Sequence, residues 1–145
     1  MVRYIHRKER IGMKFNYNDG GRSKYFKGQV GDCVTRSIAI ATGLDYKEVY
    51  DTVKDLLQHT PRNGLSKKET RDIMEYFGFT WVSLMTIGGG CHYHLRDDEL
   101  PSGTIICQVT KHVTCIIDGV INDTFNPSRD GTRCVYGYWY IDEEV

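Results

Sequence analysis

The spacing of apolar residues changes along this chain, from a helical period in the first half to a strand period in the second. In the second predicted helix, the apolar residues Val49, Val53, Leu56 and Leu57 recur with the period of an amphipathic helix. The first predicted helix runs from Cys33 to Thr42 and ends at Gly43, a residue suited to the left-handed conformation that closes helices. Two later helices are predicted to begin at capping-box patterns, Asp45 with Glu48 and Ser66 with Glu69, and the last ends near Phe77 and Gly78.

Residues 79–141 are rich in aromatic and β-branched side chains, which are typical of strands. The predicted strands are residues 79–86, 104–109, 112–117, 120–125 and 132–141. Gly- and Asn-rich stretches at 16–28 and 88–90 predict loops. Because helices come first and strands follow, the order predicts an α+β fold with an antiparallel sheet, and 145 residues suit a single domain, 1–145.

The dipeptide Asp118-Gly119, flanked by apolar runs, is the strongest local signal, because it favours a two-residue hairpin turn. Such a turn fixes the register of the two strands that it joins. Counting back from it with the two-residue period of strands places His112 and Asp123 on one face as diagonal neighbours, within reach of a hydrogen bond. Asn122 is predicted to point to the opposite face.

Cys33 is predicted to start the first helix, directly after a Gly-containing turn. At that position the positive end of the helix dipole and free backbone N–H groups favour the nucleophilic thiolate form of a cysteine. Together, Cys33, His112 and Asp123 supply a nucleophile, a general base and a carboxylate that orients the base. A cysteine or a histidine taken singly is more often structural, so the predicted triad depends on the combination.

The chain has no net charge, because 19 Lys and Arg residues balance 19 Asp and Glu residues, but the charges are unevenly distributed. Residues 1–27 contain eight basic residues and two acidic ones, so the remainder is acidic. A basic N-terminal arm or strand that docks on the acidic body is the simpler interpretation, and contact with nucleic acid is the alternative.

No apolar run approaches the ~20 residues of a membrane span, and residues 1–10 are unlike a signal peptide, which predicts a cytoplasmic protein without membrane contact.

The five cysteines are an odd number with no paired spacing, which favours a reduced, cytosolic protein. Cys107, Cys115 and Cys134 are predicted to be small buried residues within strands. The segment Cys91-His92-Tyr93-His94 has residue types that bind metals and is the competing site. Because no second ligand pair follows at zinc-finger spacing, a loop near the mouth of the active site is preferred for it, and neither a metal nor a cofactor is expected.

The order of the candidate residues resembles that of the papain-like cysteine peptidase superfamily: a glutamine, a cysteine on the first helix, and then a histidine and an Asp or Asn on adjacent strands. The matching residues are Gln29, the pair Asp32-Cys33, His112 and Asp123. The Gln…Asp-Cys pattern and the compact size are most similar to the bacteriocin-leader peptidase branch. The segments that contain these residues also resemble small papain-like proteins of bacteriophages.

The resemblance implies a papain-like fold and a cysteine-dependent hydrolase (a peptidase, isopeptidase or amidase) that acts by thioester acyl transfer on a host or viral protein in the host cytoplasm. It makes Cys33 the nucleophile, His112 the general base and then acid, and Asp123 the orienting carboxylate. Gln29 and the Cys33 N–H would hold the oxyanion. Two alternatives stay open: a non-catalytic papain-like protein that binds and blocks a host factor, and a transferase or deamidase that uses the same triad.

Overall fold

Three helices and six strands occur among residues 13–142, which are the residues that the computed structural model describes. The helices are α1 (Cys33–Thr42), α2 (Tyr46–Leu57) and α3 (Lys67–Tyr76), and a 3-10 turn at Arg22–Lys24 precedes them. The strands are β1 (Lys14–Tyr17), β2 (Phe79–Ser83), β3 (Thr104–Val109), β4 (His112–Ile117), β5 (Val120–Asp123) and β6 (Gly137–Ile141). The chain therefore has the α+β class that the order of its elements predicts.

The six strands form one mixed sheet in the order β1-β5-β4-β3-β6-β2. Neighbouring strands run antiparallel, except that β1 lies parallel to β5 at one edge. The prediction of an antiparallel sheet is therefore wrong at this edge, and so is the loop predicted to begin at residue 16, because Asn16 and Tyr17 pair with β5. A short strand with exposed side chains is typical of such an edge position.

The predicted limits of elements are confirmed where a cap or a tight turn defines them. α1, β3 and β4 have the predicted bounds, and Gly43 ends α1 in the left-handed conformation with φ 77°. Ser66 and Glu69 form the predicted capping box of α3. Asp45 caps α2, but the reciprocal bond expected from Glu48 is missing, so a full capping box is wrong there.

Three strands are shorter than predicted. β2 ends at Ser83, β5 ends at Asp123 and β6 begins only at Gly137. Aromatic and β-branched residues continue beyond these limits, but the paired register ends there, apart from single backbone bonds such as that from the Leu84 N–H to the Tyr136 carbonyl. Strand propensity describes a side chain's fit to a sheet, and the extent of a strand is decided by its partners.

Apolar side chains form two buried clusters, one on each side of the sheet, as the alternation of side chains along its central strands requires. On one side, Ile38 of α1 packs with Val113 of β4 and Trp139 of β6. On the other side, Ile116 packs beneath Leu95 and its neighbours. Because α1 is held against β4, the first residue of the helix lies near the end of the sheet where β4 begins.

The predicted basic arm, residues 1–27, lies within the described residues only from residue 13 onward. In that part, residues 14–17 form β1, and Arg22 is buried in an ion pair with Asp32. The proposed contact of the arm with nucleic acid stays a prediction. Across residues 13–142, helices are too short or too polar to cross a bilayer.

The cysteines depart from the expectation of a fully reduced chain, because Cys91 and Cys134 form a disulfide with their Cα atoms 6.0 Å apart. Cys134 is also not within a strand; it forms an isolated bridge with His94 ahead of β6. Cys107 and Cys115 are free and fully buried, as predicted. Spacing along the chain could not reveal a pair that is separated by 43 positions.

Candidate active site

Cys33 is the first residue of α1 and lines a cavity of about 390 Å³, where its side chain is partly exposed. The N-cap residue Asp32 makes no capping hydrogen bond to the helix. Among the described residues, the Cys33 N–H has no acceptor. A free donor and the positive end of the helix dipole therefore lie beside the sulfur, which is the environment predicted from the sequence.

His112 begins β4 and Asp123 ends β5, so antiparallel pairing places both at the same end of the sheet. The imidazole Nε2 lies 2.8 Å from Asp123 Oδ2. Thr114 donates its hydroxyl hydrogen to the same oxygen at 2.6 Å. The contact predicted from the hairpin is therefore confirmed, and Nδ1 is the ring nitrogen that remains for another partner.

Asn122, the neighbour of Asp123, is excluded from this contact by the register of β4 and β5. Ile117 lies opposite Val120 across the turn, and Asn122 consequently faces the other way. Its side-chain oxygen accepts a hydrogen bond from Asn16 Nδ2 at 2.8 Å, on the edge strand β1. The turn therefore selects the carboxylate rather than the amide as the partner of the histidine.

Cys33 and His112 line the same cavity, and their interaction changes the titration of the imidazole. Burial by itself lowers the pKa of His112, but the hydrogen bond to Asp123 and the proximity of the Asp123 carboxylate and the Cys33 sulfur outweigh it and raise the pKa to about 9. Burial likewise raises the pKa of Asp123, but hydrogen bonds from His112 and Thr114 hold it below its usual value. The imidazole of His112 is therefore held in an environment that favours its protonated form.

Arg36 connects the helix of the nucleophile to the strand of the carboxylate. It lies one turn after Cys33 on α1, donates to the Asp32 carboxylate, and reaches Asp123 Oδ1 through Nη2 at 3.3 Å. Arg36, Asp32 and Asp123 are 7%, 0% and 3% exposed, so these groups compensate one another instead of being solvated by water. Burial lowers the pKa of Arg36, but attraction to Asp32, Asp123 and Cys33 raises it above its usual value.

The Asp32 carboxylate has two further partners behind the cavity. The Tyr46 hydroxyl donates to Oδ2 at 2.5 Å, and Arg22 Nη1 donates to the same atom at 3.4 Å. Burial and the hydrogen bond to Asp32 raise the pKa of Tyr46 well above its usual value, so its hydroxyl stays protonated. Two guanidinium groups thus balance two carboxylates in the interior.

The sequence pattern alone does not indicate that the site includes Arg36, Arg22 and Tyr46. Arg36 did offer a signal, because it is the one charged residue in the sequence of α1, and a charge on a buried helix requires a partner. Asp32, four residues earlier, is one such partner. Asp123 lies 87 positions further along the chain, and no local pattern connects it to Arg36.

Gln29, the predicted oxyanion donor, is exposed and lines the cavity together with Cys33. Its role in binding an oxyanion stays a prediction. Gly31, which also lines the cavity, donates its N–H to the carbonyl of Arg62 at 2.8 Å. This bond holds the segment around residues 62–64 against the cavity. The remaining residues that line the cavity are Val30, Arg36, Asn63, Gly64, Lys111, His112, Thr124 and Phe125.

The segment Cys91-His92-Tyr93-His94 contributes no side chain to this cavity, which does not support its expected place at the mouth of the active site. With Cys91 bound to Cys134, residues 13–142 contain no group of three or more His, Cys, Asp or Glu side chains arranged to hold a metal ion. The two histidines therefore take no part in the arrangement around Cys33.

Chemically, the site combines a thiol at a helix N-terminus, an imidazole that lines the same cavity, and a carboxylate that fixes the imidazole. Such a set can attack a carbonyl carbon and protonate a leaving group without a metal ion. No protein-family model, curated protein or solved structure matches this chain.

Proposed function

We propose that this protein is a cysteine-dependent hydrolase of papain-like type (a peptidase, isopeptidase or amidase) with Cys33, His112 and Asp123 as its catalytic residues. The main support is the 2.8 Å contact of His112 Nε2 with Asp123 at the cavity that Cys33 also lines. In the proposed roles, the imidazole acts between an orienting carboxylate and a thiol, which is the order of groups in nucleophilic catalysis. The resemblance of these residues to the papain-like superfamily supports the same assignment.

In the proposed reaction, the Cys33 thiolate attacks the substrate carbonyl carbon, and a tetrahedral oxyanion forms. The oxyanion collapses to a thioester as the amine leaves, and the imidazolium of His112 gives its proton to that amine. A water molecule then attacks the thioester while His112 takes a proton from it, which releases the acid and restores the Cys33 thiolate beside the His112 imidazolium. Asp123 holds the ring in one tautomer throughout.

The free N–H of Cys33 and the side chain of Gln29 are the proposed donors to the oxyanion. In comparable sites one such donor stabilises the transition state by about 3 kcal/mol. The segment that pairs Gly31 with Asn63 gives the cavity an exposed backbone wall, against which an extended substrate chain could lie. A protein or peptide is therefore the proposed substrate.

The first test is the rate at which a thiol alkylator labels each free cysteine, followed by mass spectrometry of the digested protein. At neutral pH, we expect iodoacetamide to label Cys33 far faster than the buried Cys107 and Cys115, and His112→Ala to slow the labelling of Cys33 by at least tenfold. Equal rates for wild type and His112→Ala would show that the imidazole does not activate the thiol.

The second test measures turnover on a library of fluorogenic peptide amides, with Cys33→Ala as the matched control. Hydrolysis by the wild type that is lost in Cys33→Ala supports the proposal. Transfer of the acyl group to an added amine in preference to water would identify a transferase. Selective labelling of Cys33 without turnover on any peptide, isopeptide or glutamine side chain would favour the non-catalytic binding protein.

A further inference from the structure

The segment Cys91-His92-Tyr93-His94, which the proposed function does not use, meets Cys134 in a second cluster of ligating side chains. Besides the disulfide, the backbone joins the two segments. His94 forms an antiparallel bridge with Cys134, and Val135 donates its N–H to the carbonyl of Tyr93 at 2.8 Å. These backbone bonds do not depend on the oxidation state of the sulfurs.

His94 is oriented as a metal ligand would be. Its Nδ1 lies 3.0 Å from Glu99 Oε1, and the same oxygen accepts the His94 backbone N–H at 2.7 Å. The ring is therefore fixed, and its Nε2 lies 3.6 Å from Cys91 Sγ. Histidines that bind zinc commonly donate their second nitrogen to a carboxylate in this way.

The separation of nitrogen and sulfur fits a tetrahedral zinc ion. With Zn–S of about 2.3 Å and Zn–N of about 2.0 Å, two ligands at the tetrahedral angle lie about 3.5 Å apart. Cys91 Sγ and His94 Nε2 are 3.6 Å apart. Two sulfur ligands need a separation of about 3.8 Å, which rotation of the side chains can supply because the Cα atoms of Cys91 and Cys134 are 6.0 Å apart.

We propose that, once the disulfide is reduced, Cys91, Cys134 and His94 Nε2 bind one zinc ion, with a water molecule as the fourth ligand. A dithiol reductant transfers two electrons and two protons to the S–S bond, which yields two thiols on the protein and a disulfide in the reductant. Zinc then displaces both thiol protons as the sulfurs bind as thiolates. In the oxidised state the two sulfurs are bonded to each other and bind no metal.

The proposed zinc site is separate from the proposed hydrolase site, because its residues do not line the cavity that holds Cys33. Cys134 is the zinc ligand that sequence spacing alone does not reveal. The backbone bridge brings Cys134 to a segment that has a cysteine and a histidine but no second cysteine nearby in sequence. His92 is exposed and belongs to no hydrogen bond or ion pair among the described residues, so it serves as the control histidine.

The test compares the oxidised and the reduced full-length chain, so its central comparison needs no variant. Each sample is titrated with Co²⁺ and then with Zn²⁺, and an absorption spectrum is recorded after each addition. The amount of bound zinc is then measured by its release to a chromophoric chelator. We expect one metal ion per reduced chain, with thiolate-to-cobalt charge-transfer absorption that zinc abolishes, and none per oxidised chain. If the reduced chain unfolds without metal, added zinc should restore its circular dichroism spectrum.

The variants then assign the ligands. Cys134→Ser and His94→Ala should each weaken zinc binding by at least about 100-fold, and Glu99→Gln by about 10- to 100-fold, as is typical of the carboxylate partner of a zinc-bound histidine. His92→Ala and Cys33→Ala should bind zinc as the wild type does. The proposal is overturned if the reduced chain binds no zinc, if Cys134→Ser retains binding, or if His92→Ala or Cys33→Ala abolishes it.

Discussion

Arg36 Nη2 lies 3.3 Å from Asp123 Oδ1, and this contact joins the helix of the candidate nucleophile to the strand of the candidate orienting carboxylate. Each oxygen of Asp123 has two donors: His112 and Thr114 on Oδ2, and Arg36 and the Thr124 N–H on Oδ1. A carboxylate with four bonds in the interior is held in one orientation. The guanidinium of Arg36, on another element, is therefore one of the groups that orient the carboxylate toward the imidazole.

Replacing Arg36 should weaken both the fold and the site. Arg36→Met leaves the carboxylates of Asp32 and Asp123 buried without their shared cation. We expect the free energy of unfolding, measured by urea denaturation, to fall by about 3 kcal/mol. The rate at which iodoacetamide labels Cys33 in the folded protein should fall as well.

Arg36→Lys is the matched control, because it keeps the charge but lacks the planar fork that reaches two carboxylates. Its unfolding free energy and labelling rate should lie between those of the wild type and Arg36→Met. If Arg36→Met unfolds at the same urea concentration as the wild type, the buried network does not contribute to stability.

The second prediction separates Asp123 from its neighbour Asn122. Asp123→Ala should lower kcat/KM by about 10³- to 10⁴-fold, because the imidazole loses the group that fixes its tautomer. Asn122→Ala should leave the chemistry nearly unchanged, since its side chain bonds to Asn16 and not to His112. The measurement is kcat/KM of both variants on a substrate that the wild type cleaves. A larger decrease in kcat/KM for Asn122→Ala than for Asp123→Ala would contradict the proposed triad.

Cys33→Ala should abolish activity and leave the fold intact. The cysteine side chain is small and partly exposed at the cavity, so its truncation leaves little unfilled volume. We expect the melting curves of wild type and variant, recorded by differential scanning calorimetry, nearly to coincide. A drop of many degrees in the melting temperature would instead indicate that Cys33 has mainly a packing role.

The stability of the protein should fall as pH rises through the neutral range. The pKa of His112 is raised in the folded state from its ordinary 6.5 to about 9, so the native state holds a proton that the unfolded chain releases. Its contribution is therefore complete below pH 6.5 and is lost as pH approaches 9. Urea unfolding across this range should show the decrease, and His112→Gln should flatten it; an equal slope in the variant would assign the decrease to other groups.

Features that depend on neighbouring residues can be predicted from the sequence alone. Asp118-Gly119 specifies a hairpin turn, and the turn fixes which residues of β4 and β5 face each other. The pairing of His112 with Asp123 could therefore be predicted by counting along two strands. The start of α1 at Cys33 and its end at Gly43 follow in the same way from turn and cap preferences.

Interactions between distant segments become visible only when the chain is folded. The ion pair of Arg36 with Asp123, the bond of Tyr46 to Asp32 and the disulfide between Cys91 and Cys134 all join residues whose spacing has no local meaning. Buried charges and sulfurs find partners according to how helices pack on the sheet, and packing is a property of the whole chain. The parallel pairing of β1 with β5 has the same origin, because an edge strand is positioned by the sheet that it joins and not by its own four residues.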